Sequence, residues 1–529
     1  MTKATKLPEC IGLALSGGGY RAAAFHLGTV EYLHAIGLGP SIKRMSTVSG
    51  GTIFGAAWTV ALMEGRDFPD FVTGFRRFLL DVDLVKRGLK SLSGRAPKTP
   101  SKRHSLIAGM AGIYAQELVR DTAGRPYLLG DVFDARIQLE DVIFNATEFR
   151  YGLAFRFQRS ASGDALIGNG SVAVDRTAAR SIRLADVVAA SSCFPGGFEP
   201  LAFPHDFAWP DGRIPAPIAA QFTTDGKPAP LALMDGGICD NQGIESLLLA
   251  GTRTKRPADL FVISDVSADP LDLWPYPDEA ARRKGLRLST VRWVWIALAL
   301  ACVISFVALG SLAWGGWAER GFDWRDLFTF VVPIALSGVV GFGLWWCYRV
   351  VRDEGLTKVP KLGDRSWRLI KDIAVRQLVG MIALRVGSVL CLTTDVFMAR
   401  IRRLGFTLVY DDPKYREERV SNLIYELTPG RDWARVLMDL GVEPPSAPMQ
   451  ALAKEASAMP TTLWFDSQRQ LDVVAATGRM TIAVNLMKWI GRQFGTDPAK
   501  YPADVRALFE RLLADWRRWR TEPDPASRG

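Results

Sequence analysis

Leu13-Ala-Leu-Ser-Gly-Gly-Gly-Tyr-Arg21 is the stretch on which the reading of this chain turns. A short apolar run ends in three consecutive glycines, and an alanine-rich, helix-like segment follows from Ala22 to Ala35. Strand, glycine turn and helix start together aim bare backbone N–H groups at a negative charge. Three chemistries use that arrangement: dinucleotide binding, phosphate binding, and the oxyanion hole of acyl transfer.

Gly17-Gly-Gly-Tyr-Arg-Ala22 fits the loose dinucleotide pattern G-x-G-x-x-G/A. That fingerprint also needs an acidic residue at the end of the next strand to hold a ribose. No Asp or Glu stands between Glu31 and Glu64, and the strand predicted over Ile42 to Val48 ends in Ser49-Gly50-Gly51. No G-K-[ST] sequence is present, which removes a Walker phosphate loop. The oxyanion hole remains. Thr47-Val-Ser49-Gly-Gly51 then reads as a nucleophile elbow, a sharp strand-to-helix turn that exposes a serine hydroxyl. Ser49 would stand at a helix N-terminus, where the dipole favours a developing alkoxide.

At these residues the chain resembles the patatin-like phospholipases, a family of Ser–Asp lipid acyl hydrolases. The family's oxyanion loop matches Gly17-Gly18-Gly19-Tyr20-Arg21 and its elbow serine matches Ser49. Its Asp-Gly-Gly/Ala motif matches Asp235-Gly236-Gly237, continuing as Asp240-Asn241-Gln242-Gly243. One departure stands out: the family pattern G-x-S-x-G has glycine two residues before the serine, where this chain has Thr47. The resemblance implies an α/β fold, a three-layer sandwich around a central, mostly parallel sheet. It implies Ser49 as nucleophile, Asp235 as base, and the N–H groups of Gly17, Gly18 and Gly19 as the oxyanion hole. Gly50 and Arg21 would be candidates for further substrate contacts. Arg21 either meets a lipid headgroup phosphate or fixes the loop through a salt bridge. The family needs no cofactor and no metal.

Two rival bases are present. A Ser–His–Asp triad would have to draw on His26, His34, His104 or His205, and only His26 lies close in sequence to the glycine loop. Asp240 follows Asp235 closely. Asp265, after the strand predicted over Leu260 to Ile263, reads as a turn cap. Ser191-Ser-Cys-Phe-Pro-Gly-Gly197, after a helix over Ile182 to Ala190, is a turn signal with structural serines. Tyr151 to Phe157 is the better half of a strand pair over Leu139 to Arg159.

The 529 residues carry a net charge of +10 and are 48% hydrophobic. Such a charge suits nucleic acid or an anionic membrane surface, and two apolar runs decide for the membrane. Trp293 to Trp317 and Leu327 to Tyr348 each hold no charged residue and are long enough to cross a bilayer. Tryptophans mark their ends, including Trp293, Trp295, Trp314, Trp317, Trp324, Trp345 and Trp346. Arg282, Arg283, Lys284, Arg287 and Arg292 precede the first run, and Arg349, Arg352, Lys358 and Lys361 follow the second. The intervening loop carries fewer basic residues, so both flanks and the enzyme are placed in the cytoplasm, at a bacterial inner membrane. No secretory signal is expected, and the six scattered cysteines read as reduced thiols.

The expected organisation is a catalytic domain over 8–275, a transmembrane hairpin over 293–348, a helical continuation or cap over 366–520, and a disordered tail over 521–529. Asp81 to Leu106 reads as a basic loop with Gly and Pro breaking any helix, either solvated or docked on the membrane through Lys86 to Arg103. Leu106 to Tyr114 reads as a flap or core. Leu369 to Leu404 reads as a packed or interfacial helix, Phe406 to Tyr410 as a further strand, Thr461 to Ile490 as helices. Val505 to Arg520 is an amphipathic helix that docks either on the domain or on the membrane. The expected partners are a membrane phospholipid or lysophospholipid substrate and the bilayer, with no nucleic acid. Two other readings stand beside hydrolysis: a catalytically inert lipid-binding scaffold, and an acyltransferase or thioesterase using the same dyad.

Overall fold

The computed structural model describes residues 6–92, 105–161, 163, 165–267, 288–350, 375–392 and 396–523. It divides into two compact units, Met1–Leu271 with Thr394–Gly529, and Asp272–Thr393.

The first unit is built on one sheet. Its strands follow one another as Arg419–Leu423, Leu260–Asp265, Ile11–Leu15 (β1), Ile42–Val48 (β2), Asp141–Glu148 (β3) and Leu153–Ser160 (β4). Every pairing from Arg419–Leu423 as far as β3 is parallel, and β4 returns antiparallel. β1 shows why its sequence is an unbroken apolar run. Ile11, Leu13 and Leu15 enter the large core, whereas Ala14 joins Ile244, Leu247, Phe261, Ile263 and Val409 in a second cluster. A parallel strand buried on both faces needs helices on each side. Gly19–Ala35 (α1) and Gly50–Met63 (α2) belong to the large-core side, with Gln468–Phe494 packed along α1. Ile244–Arg253 and Phe397–Tyr410 supply the other side. The result is an α/β fold of three layers with a mostly parallel centre.

Residues 396–523 therefore do not form a separate cap. They return to the same unit, add the strand Arg419–Leu423 to the sheet beside Leu260–Asp265, and cover α1. Ala503–Thr521 docks on the domain rather than on a membrane: Trp516 is fully buried, stacks on Trp433, and donates its indole N–H to Glu443 O at 3.0 Å.

Two local expectations are overturned. Leu84–Leu92 is a helix and not a loop. Asp83 Oδ1 accepts the Lys86 N–H at 2.8 Å, a side-chain cap that starts the helix, and the helix packs on Leu106–Glu117. The remaining basic residues of that stretch, at 93–104, lie outside the described residues. Phe406 to Tyr410 is the last part of the helix Phe397–Tyr410 and not a strand. Its short β-branched and aromatic run mimics a strand, but Gly405 and Val409 are the buried positions, spaced by one helical turn. Val375–Cys391 is a helix, and residues 366–374 and 393–395 lie outside the described part.

In the second unit, Leu288–Arg320 and Val332–Val350 pack on each other. A polar turn joins them, where Asp326 Oδ2 accepts from Asp323 N at 2.9 Å and from Trp317 Nε1 at 3.2 Å. Large apolar side chains such as Leu298, Val303, Ile304, Val339 and Phe342 are left exposed. Two stretches, Trp293–Glu319 and Trp324–Gly343, are long and apolar enough to cross a membrane, with mean hydropathies of 2.5 and 1.7. The basic flank at 282–287 lies outside the described residues.

Candidate active site

The register of β3 brings the site together. β2 pairs with the first part of β3, ending with Val48 opposite Asn145. The strand Leu231–Asp235 takes over the same edge from the opposite direction, ending with Asp235 opposite Ala146. Asn145 and Ala146 are neighbours, so the residue after Val48 and the last residue of the incoming strand meet end to end. Those residues are Ser49 and Asp235.

Ser49 has φ 51° and ψ −118°, a left-handed φ that a non-glycine residue holds only when its surroundings impose it. The restraint is a polar relay beneath the turn. Ser49 N donates to Ser191 Oγ at 3.0 Å, and Ser191 Oγ donates to Asn145 O at 2.6 Å. Thr52 Oγ1 lies 2.7 Å from Ser191 Oγ and 2.9 Å from Thr47 Oγ1. Ser191 gives its proton to the Asn145 carbonyl, and Thr47 Oγ1 also reaches the Ile143 carbonyl at 3.2 Å, so its one proton serves either that carbonyl or Thr52. Thr47, the departure from the family pattern, is thus used in this relay. Its methyl group is accommodated because residue 55 on α2 is glycine; a Cβ there would lie 2.6 Å from Thr47 Cγ2. Ser191, read from sequence as structural only, is the acceptor that seats the Ser49 backbone. No motif marks it.

The Asp235 carboxyl is buried, which pushes its pKa up to about 6, while hydrogen bonds from the Ser49 hydroxyl and the Gly237 N–H act the other way. The Gly237 bond is 2.8 Å. The main chain is fixed as well: Asp235 N donates to Cys193 O at 3.0 Å, and Thr147 Oγ1 donates to Asp235 O at 2.9 Å. Asp235 is therefore ionised at neutral pH but only weakly solvated, the state in which a carboxylate is a better base than usual.

The glycine loop needs one correction. Gly17 N donates to Asn241 O at 3.0 Å, so that donor is already spent and cannot receive an oxyanion. Ser16 N and Tyr20 N are likewise used, by Ser264 O and Thr462 O. Among the described residues, the N–H groups of Gly18 and Gly19 have no such partner. Gly18 has φ 143° and Gly19 φ 58°, so the loop turns its amides in a way that L side chains rarely allow. Gly50 packs directly on Gly19, with no space for a Cβ between them.

Arg21 is not a headgroup contact. It is buried, and its guanidinium donates to Val266 O at 3.2 Å, Ser457 O at 3.3 Å, Thr461 Oγ1 at 3.3 Å and Met459 O. It fixes the loop, through carbonyls rather than through a salt bridge.

His26 is fully buried; Nε2 donates to Ser16 O and Nδ1 accepts from Ser264 Oγ, both at 2.9 Å. Burial pushes its pKa down to about 4. A neutral imidazole with both nitrogens engaged holds the end of β1 and has no lone pair to offer Ser49. Asp240 caps Ile244–Arg253, accepting from Gly243 N at 2.9 Å and Glu245 N at 2.8 Å. Asp265 accepts from Ser267 N at 3.0 Å, the turn cap expected of it.

Residues 13–248 match the family model described as patatin-like phospholipase. The match runs from the middle of β1 through the Gly17–Gly19 loop, α1, the elbow and the Asp235 strand. It supports that family for this part of the chain and points to lipid acyl hydrolysis as its class of activity. No curated protein matches the chain.

Proposed function

We propose that the chain is a membrane-anchored serine lipid acyl hydrolase that cleaves acyl esters of phospholipids or lysophospholipids. The observation that carries this reading is a serine on a strained elbow, facing a buried carboxylate, beside two unspent N–H groups. Asp235 takes the proton from Ser49 Oγ as that oxygen attacks the ester carbonyl. Gly18 and Gly19 N–H donate to the tetrahedral oxyanion; one such donor is worth about 3 kcal/mol in the transition state. As the C–O bond breaks, the proton passes from Asp235 to the leaving alcohol. Water activated by Asp235 then releases the fatty acid from Ser49.

The membrane part of the proposal is supported by the two apolar helices and by their basic flanks, which favour a cytoplasmic catalytic unit at a bacterial inner membrane. An anchored enzyme meets its lipid substrate in the plane of the bilayer, which accounts for a hydrolase fused to such helices.

The test is fatty-acid release from mixed phospholipid vesicles by the full-length protein beside Ser49→Ala and Asp235→Asn. Release by the wild type that is lost in both variants supports the dyad. Unchanged release by Asp235→Asn removes Asp235 as base, and no release by the wild type from any vesicle or neutral ester removes the hydrolase.

A further inference from the structure

The helix Phe397–Tyr410 lies wholly beyond the stretch that matches the family, yet it packs against the segment that follows Asp235. Its residue Arg402 is the point of contact. With the Asn241 amide oriented to meet its donors, Asn241 Oδ1 accepts from Arg402 Nε at 2.7 Å and Nη2 at 2.8 Å. Arg402 Nε also lies 3.9 Å from Asp265 Oδ1, and Gln242 Nε2 donates to Arg402 O at 3.4 Å.

Asn241 itself is buried between the two catalytic loops. A Cβ at Gly17 would lie 2.6 Å from its amide tip, and one at Gly237 would collide with the same tip. Gly17 belongs to the oxyanion loop; the Gly237 N–H donates to Asp235. The main-chain oxygen of Asn241 also takes the Gly17 N–H. One residue thus sets the spacing between the oxyanion donors and the base, and its side chain is held by the guanidinium fork of Arg402. Met398, one turn before Arg402, reaches the same place, 3.0 Å from where a Gly237 Cβ would stand.

We propose that Arg402 is a positioning residue for acyl transfer, which through Asn241 holds the Gly17–Gly19 loop in register with Asp235. It touches neither substrate nor the reacting atoms. Its fork presents two N–H donors to one oxygen, a geometry that a lysine ammonium does not reproduce.

This inference rests on the hydrolase reading, so its test includes one readout that needs no turnover. Wild type, Arg402→Ala, Arg402→Lys and Ser49→Ala, all full length, are compared by hydrogen–deuterium exchange and by hydrolysis of a soluble short-chain 4-nitrophenyl ester. Arg402→Ala is expected to speed exchange in the peptide covering 13–20. It should lower kcat by about tenfold or more with KM within about twofold, as loss of alignment does. Arg402→Lys stays low in kcat, and millimolar guanidinium ion restores part of the Arg402→Ala rate. Ser49→Ala exchanges like the wild type. Exchange of 13–20 unchanged in Arg402→Ala overturns the proposal, as does a loss confined to KM. Faster exchange spread over the whole sheet also overturns it, because Arg402 would then hold the fold and not the loop. If the wild type hydrolyses no ester, the hydrolase reading fails by itself, and the exchange comparison still decides whether Arg402 holds the loop.

Discussion

The segments 11–265 and 396–523 build one sheet but serve the site differently. Between Ile11 and Asp265 lie the groups to which the proposed function assigns the chemistry: the Ser49 hydroxyl, the Asp235 carboxyl, the Gly18 and Gly19 amides. Between 396 and 523 lie the groups that hold those in place. The Thr462 carbonyl takes the Tyr20 N–H, Ser457 and Met459 carbonyls take Arg21, and Arg402 takes Asn241. On the proposed function, the first segment supplies reactivity and the second supplies support. Chemistry tolerates few residue types at a position, whereas support can be given by any group of the right shape and polarity. A variant at a reacting group should therefore alter turnover directly, whereas a variant in the second segment should act through the alignment of those groups or through stability.

The sharpest break in that comparison comes from Ser49→Ala, which is expected to lower hydrolysis by at least about 10³-fold, over 4 kcal/mol of barrier, with an unchanged melting curve. A melting point that falls as well would show that the elbow is also a stability element.

Trp516→Ala tests the opposite end. Emptying the site of a fully buried tryptophan should cost about 3–5 kcal/mol of stability by denaturant titration. Activity per folded molecule should not change, and an equal loss of both would erase the distinction.

Asp235 joins the two properties, because its carboxyl is reactive and also costly to bury. Its pKa rises from 3.8 unfolded to about 6 folded. The folded state therefore holds more protons between those values, and stability falls as pH rises through that window, by on the order of 3 kcal/mol. Asp235→Asn lacks that loss, so its melting temperature should exceed the wild type's near pH 8 and approach it near pH 4. On a soluble ester, wild-type kcat/KM should rise with pH along a limb centred near the same value of about 6. A limb near 4 would mean that the carboxyl is better solvated than its burial implies.

Ser191→Ala should give the smallest effect. It strands the Ser49 N–H, worth about 1–2 kcal/mol, so kcat should fall roughly tenfold with little change in KM. A wild-type rate would show that strain at Ser49 is held without the relay.

The same division explains what could be read in advance. Ser49, Asp235 and the three glycines stand out because a nucleophile elbow, a strand-ending acid and an amide-lined turn each demand particular residues at fixed spacing. That Gly17's own N–H is spent was not legible, since its acceptor is the carbonyl of Asn241, distant in sequence. Sequence left Arg21 between a headgroup contact and a loop-fixing salt bridge, because only the fold reveals the carbonyls around it. Phe406 to Tyr410 was misread because a strand's period and a helix's period coincide over so short an apolar run. Arg402 belongs to no motif at all. Its importance follows from which helix passes over Asn241, and that is a property of tertiary packing.

The neighbouring strands Leu260–Asp265 and Arg419–Leu423 carry a further consequence. They are hydrogen-bonded in parallel within one sheet, although the whole second unit is inserted between them in the chain. Two strands of one sheet must lie on the same side of any membrane. The polypeptide between them can therefore cross a bilayer only an even number of times. Parity alone forbids one crossing or three: if both apolar helices cross, they go over and back as a pair, and Val375–Cys391 cannot add a lone third crossing.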